Sequence, residues 1–148
     1  MPTSVDQAMT LFQQGFNCSQ AVCAACAPAL GLSSELALKV AAGFGGGIGR
    51  RGEVCGAVTG AIMAIGLKTG SLEVTDVAAK EQAYAVSRQF IAQFEARHGS
   101  ILCRELLGCD INQPAGLQQA RAGQLFTKLC PQFVHDAAEI VSTLIEAE

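Results

Sequence analysis

Apolar positions along this chain recur every three or four residues between glycines, prolines and capping residues, which is the period of amphipathic helices; no segment alternates as a strand does. The clearest stripe is Val134, Ala137, Ala138, Val141, Leu144 and Ile145, an i, i+3, i+4, i+7 pattern behind Pro131. Proline is favoured at a first helical position, so a helix is predicted from there. Val77, Tyr84, Phe90, Ile91 and Phe94 predict a long helix that starts at Thr75 and stops at Gly99. Residues 54–67 are apolar nearly all round, as a buried central helix should be. Gly56, Gly60 and Ala64 share one of its faces, where another helix can approach closely. The remaining punctuation predicts helices over 4–14, from Asn17 to about Pro28, from Ser33 or Ser34 to Gly43, over 100–107 and over 115–129. Asn17 and Gln20 have the spacing of a capping box. The expected fold is all-α: one domain over 1–148, a bundle of about seven to eight helices around a central apolar helix.

Composition agrees. A chain of 148 residues can bury roughly 68–70% of its unfolded surface, so it needs no disulfide or metal merely to fold. Half of its residues are hydrophobic and 16% are charged, the opposite of a disordered chain. The net charge is −3 and no basic stripe is present, so no nucleic-acid partner is expected. The start, Met1-Pro2-Thr3-Ser4-Val5-Asp6, has no secretory pattern. The apolar run over 54–67 is shorter than the roughly 20 residues of a membrane span. A cytoplasmic protein without a membrane partner is expected. Seven cysteines, an odd number, in a reducing compartment argue against a disulfide framework.

The cysteines fall in a pattern. Cys18 follows the Asn17 cap, Cys55 opens the helix over 54–67, Cys103 sits in the first turns of the helix over 100–107, and Cys130 precedes Pro131. Four predicted helix starts therefore carry a cysteine. A helix start offers unpaired N–H groups and about half a positive charge. Both favour the thiolate, which is the nucleophile and the metal ligand. Cys109, just past Gly108, is near enough for a turn to bring it to Cys103. The alternative is that these cysteines only fill a core. Cys23 and Cys26 form a Cys-x-x-Cys, and with Cys18 they match the plant-ferredoxin spacing. On a helix, positions 18 and 23 point about 140° apart, so Cys23 and Cys26 read as core residues, with a redox pair as the minority alternative.

The loop over 43–52 contains Gly47-x-Gly49-x-x-Gly52, in form a dinucleotide fingerprint, but a helix and not a strand precedes it. Gly45, Gly46 and Gly47 are better candidates for letting backbone approach a bound group, with Arg50 and Arg51 adding positive charge beside Cys55. His98 suits the end of its helix. His135, one turn beyond Cys130, reads as a surface histidine, with a role as fourth ligand as the alternative.

Several pieces of the chain occur together and in order: Gly15-Phe16-Asn17-Cys18-Ser19-Gln20-Ala21-Val22, Gly43-Phe44-Gly45-Gly46-Gly47, Cys55-Gly56-Ala57-Val58-Thr59-Gly60-Ala61, Cys103-Arg104-Glu105-Leu106-Leu107-Gly108-Cys109 and Leu129-Cys130. In these the chain resembles the C_GCAxxG_C_C family of bacterial and archaeal redox-active proteins. It departs from the family's label at one point, where Cys55 is followed by Gly56 before Ala57. The resemblance implies a redox role and carries over Cys18, Cys55, Cys103, Cys109 and Cys130, leaving Cys23 and Cys26 outside. Three functions are open. The first is a metal or iron–sulfur site on three or four of these cysteines, with zinc as the other occupant, serving electron transfer with a redox partner protein or a small-molecule electron acceptor. The second is metal-free thiol–disulfide chemistry, in which Cys55 attacks and Cys18, Cys103 or Cys109 resolves. The third is a non-catalytic helical interaction domain. No Cys-x-x-Cys-His is present, so no covalent haem is expected. Homodimerisation is left open.

Overall fold

The computed structural model describes residues 3–147. Its helices in chain order are α1 (Ser4–Gln13), α2 (Cys18–Cys26), α3 (Ser34–Val40), α4 (Gly56–Thr69), α5 (Val77–His98), α6 (Cys103–Leu107), α7 (Pro114–Ala122), α8 (Leu125–Lys128) and α9 (Cys130–Glu146). Eight of them have five residues or more; α8 is a single turn. Short 3-10 turns occupy Pro28–Leu30 and Ala42–Phe44. The fold is all-α: the described residues contain no strand, only an isolated antiparallel bridge between Val54 and Leu102.

Local chemistry sets the boundaries. The Asn17 side chain accepts from the Gln20 amide at 2.9 Å while Gln20 accepts from the Asn17 amide at 3.0 Å, so two orphan donors at the start of α2 are satisfied together. Ser33 caps α3 and Asp76 caps α5 in the same way, with one bond each. Gly99 and Gly108 end α5 and α6 in the left-handed conformation that glycine adopts without a Cβ clash.

α2 packs against α1, α3, α4 and α9, and α4 also packs against α5 and α9. The shared glycine face of α4 brings it down onto α2. A Cβ on Gly60 would lie 2.5 Å from the Ser19 carbonyl oxygen, and one on Gly56 would lie 2.9 Å from the Ser19 amide nitrogen. Phe90, Phe94, Ile65, Val22, Val58, Val134 and Val141 fill the centre and are fully buried. Cys23 is sealed in a smaller cluster with Ala24, Ala27, Ala37 and Ala41, and Cys26 is buried in the main core.

Two expectations need correction. The helix expected over 115–129 is two, because Gly123 ends α7 and Gln124 takes a left-handed φ of 55° before α8. The stripe of α5 is also shorter than expected: Val86, Phe90 and Phe94 are buried, but Val77 and Tyr84 are exposed. Among the described residues, no helix is long and apolar enough to cross a membrane.

Candidate functional site

Four helix starts deliver four sulfurs. Cys18, Cys103 and Cys130 are the first residues of α2, α6 and α9, and Cys55 is the cap of α4. Cys55 and Cys103 are held side by side by backbone. The Cys55 amide donates to the Ile101 carbonyl and the Cys103 amide to the Glu53 carbonyl, each at 2.7 Å, on either side of the Val54–Leu102 bridge. Close packing of α4 on α2 brings Cys18 to the same place: a Cβ on Gly56 would lie 3.1 Å from that of Cys18. α9 packs on α1, α2, α4 and α5 and brings Cys130.

The glycine-rich loop closes over this cluster as a left-handed turn. Gly46, Gly47, Ile48, Gly49 and Arg50 all have φ between 58° and 70°. That region is costly for any residue with a side chain, by about 1–2 kcal/mol, and two of the five have one. The loop's own hydrogen bonds fix it, among them Gly49 to the Gly43 carbonyl at 2.9 Å and Glu53 to the Gly47 carbonyl at 2.9 Å. Gly47 has a second reason to lack a side chain. A Cβ there would lie 2.7 Å from the Cβ of Cys103. Asn17 ties loop and helix together by donating to the Ala42 carbonyl at 3.1 Å.

Together these elements enclose a cavity of about 520 Å³. Cys18, Cys55, Cys103 and Cys130 all line it, and so do Gly45, Gly46, Gly47 and Arg50. Phe12, Phe126 and Phe133 supply apolar wall, and Arg121 reaches it from α7. Cys109 does not line the cavity; it stands outside, where its charge is felt by Cys103. His98 and His135 do not line it either. Both bind Asp136, with His98 Nε2 2.9 Å from Oδ2 and His135 Nδ1 2.9 Å from Oδ1. His135 is therefore engaged away from the sulfurs.

Burial overrides the effect expected of the helix starts. It pushes the Cys55 thiol up to about 11, although the amides of Ala57 and Val58 pull the other way. It pushes Cys103 up to about 12, helped by Cys55, Cys130 and Cys109. Cys18 is pushed well above its ordinary value, first by its interaction with the Cys130 thiol, then by burial and by the charges of Cys55, Cys130 and Cys103. Cys130 alone among the cavity thiols is lowered, because Cys18 acts as donor towards it. The expectation that all four would be depressed thiolates is thus reversed for three of them. Cys130, and not Cys55, gives up its proton first.

The donor set bears on which metal could be held here. All four ionisable acids of the cavity are thiols, with no carboxylate or imidazole among its lining residues. Four thiols in one cavity, three of them on buried residues, resist ionising together unless a cation offsets their charge. All-sulfur donors suit iron–sulfur centres, zinc or copper(I). Among the described residues, however, no group of three or more His, Cys, Asp or Glu side chains is arranged so as to hold a metal ion. The donor chemistry fits a sulfur-ligated centre; the arrangement is not closed upon one ion.

The sequence reading missed Arg121 and the three phenylalanines. Each lies on a helix face whose local pattern does not distinguish a cavity wall from a core or from solvent. Compared with known families, residues 16–144 match the one described as "Putative redox-active protein (C_GCAxxG_C_C)". Neither the curated proteins nor the solved structures give a match.

Proposed function

The chain belongs to the C_GCAxxG_C_C redox-active protein family, and from that premise we propose that its four-thiol cavity is the redox centre, a site for an iron–sulfur cluster serving electron transfer. One observation carries this reading: Cys18, Cys55, Cys103 and Cys130 come from four separate helix starts to a single cavity with no other kind of ionisable ligand. A four-cysteine set is the usual ligation of [2Fe–2S] and [4Fe–4S] centres, which spread their sulfurs around several irons where a lone ion would draw them together. The group would supply one-electron exchange. The chain's own residues would hold it and exclude water with Phe12, Phe126 and Phe133, while the absence of side chains at Gly45, Gly46 and Gly47 lets the loop pack against Asn17, Arg50 and Cys103 of the cavity wall. Free thiols throughout suit a reducing, cytoplasmic setting.

Anaerobic purification followed by iron, zinc and acid-labile sulfide analysis and a visible spectrum tests this. Iron with sulfide, lost when Cys18, Cys55, Cys103 or Cys130 is changed to Ser, is the expected result. A colourless protein without iron overturns it, and zinc in its place leaves a metal site without electron transfer.

The interaction between Cys18 and Cys130 favours a second reading, a metal-free dithiol. There the Cys130 thiolate would be the nucleophile. The pair would release two electrons and two protons to a two-electron acceptor as one disulfide forms. A Cys18–Cys130 disulfide in oxidised, metal-free protein would support it.

A further inference from the structure

Apart from the thiols, the polar side chains lining the cavity are Asn17, Arg50 and Arg121. Neither arginine has an acidic partner among the described residues, whereas Arg51, Arg97 and Arg104 each pair with a carboxylate. The chain as a whole has a net charge of −3, so two unpaired guanidiniums at one cavity run against the average field. They reach it from different elements, Arg50 from the left-handed turn and Arg121 from the last turn of α7. Arg50 is held at a φ of 63°, a strained position for a residue with a side chain. The turn's internal hydrogen bonds are donated by residues 48–53, which leaves the amides of Gly45, Gly46 and Gly47 unspent at the cavity wall. A guanidinium presents a planar fork of donors that matches carboxylate and phosphate oxygens. Successive unspent amides at the start of such a turn also make a concavity that takes an anion.

We propose that the cavity binds a small molecule bearing a carboxylate or phosphate group, held by Arg50 and Arg121. That this molecule is the substrate of the redox centre rests on the function proposed above; its binding does not. The carboxylate and phosphate sources share one chemistry and are separated by the test.

Protein purified anaerobically, with whatever metal it carries, is titrated calorimetrically with malonate, with inorganic phosphate and with neutral malonamide. Metal content is measured on the same sample. Saturable binding of malonate or phosphate is expected, with no binding of malonamide, and the tighter anion identifies the source. Arg50→Gln and Arg121→Gln should each weaken that binding about tenfold, the effect of losing one charge-assisted contact. Arg121→Lys should recover part of it. Arg88→Gln, an exposed change on α5 away from the cavity, should have no effect. The proposal is overturned by no saturable anion binding, by malonamide binding as well as malonate, or by anion binding that neither arginine affects. The last result would leave the arginines as mere counter-charges to the thiols. Iron without anion binding defeats this inference alone, and anion binding without metal defeats the iron–sulfur reading alone.

Discussion

Cys130 and Cys55 both sit at helix starts, yet they are driven in opposite directions, and the difference is what surrounds each sulfur. Cys130 has a thiol donor beside it, whereas Cys55 has mainly buried surroundings that penalise charge. Graded-pH alkylation of reduced, metal-free protein should therefore label Cys130 before Cys55 and Cys103. Cys55 and Cys103 should stay silent until the pH nears 11 to 12, where they ionise. Peptide mapping would read the order, and earlier labelling of Cys55 would contradict it. The same thiols predict an alkaline limit to stability. Their folded values lie above the ordinary 9.0, so the unfolded chain gives up their protons first. Stability is then full well below that ordinary value and falls as the pH rises through it towards the folded values. Thermal melts of metal-free protein should drop steadily over that interval. The helix-start positions of these cysteines were legible from caps and prolines, but their burial was not. Burial depends on which other helix arrives, and no local pattern records that.

Elements meet here through small residues and caps. Gly60 and Gly66 both lie on α4, but only the first faces a neighbour. Gly60→Ala should destabilise the protein by about 1–3 kcal/mol, because its Cβ would meet the Ser19 carbonyl of α2. Gly66→Ala, with open space around it, should instead add roughly 0.5–1 kcal/mol of helix propensity. Urea unfolding of the two variants would show opposite signs. Asn17→Ala should cost about 0.5–2 kcal/mol through the lost cap. It also removes the bond to Ala42, so hydrogen exchange in the loop over 43–52 should quicken. The Asn17 box and the glycine face of α4 were both readable in the sequence, since each depends on spacing within one helix. The break between α7 and α8 was not, because the left-handed φ at Gln124 belongs to a residue type that gives no warning of it. The left-handed turn was visible only as a run of glycines. Ile48 and Arg50 adopt the same backbone without the residue type that would announce it.

At the scale of the whole molecule, α5 and α9 are fastened at one point by charge. Buried Asp136 takes contacts from His98 and Arg97 of α5 and from Gln132 and His135 of its own helix. Burial alone would raise its carboxyl. The hydrogen bonds from His135 and Gln132 and the charges of His98 and Arg97 outweigh burial and hold it below the ordinary 3.8. A lowered acid stabilises the fold above the unfolded value and loses that contribution as the pH falls through its own. Asp136→Asn should cost about 1–3 kcal/mol at pH 7, with the gap from wild type closing below about pH 4. Denaturant curves at the two pH values would measure it; an equal gap at both would refute the assignment. His98 packs its ring on Phe94 and Phe133, with centroids 4.7 and 5.0 Å away, and Phe133 lines the cavity. The fastening and the thiols therefore share a wall. The order of the sulfurs along the chain has a consequence for biosynthesis. A nascent polypeptide exposes Cys18, Cys55 and Cys103 before Cys130, which comes after the other three in the chain. The cavity therefore stays one donor short until α9 has been made, and a cargo that needs all four sulfurs can be fully ligated only after that.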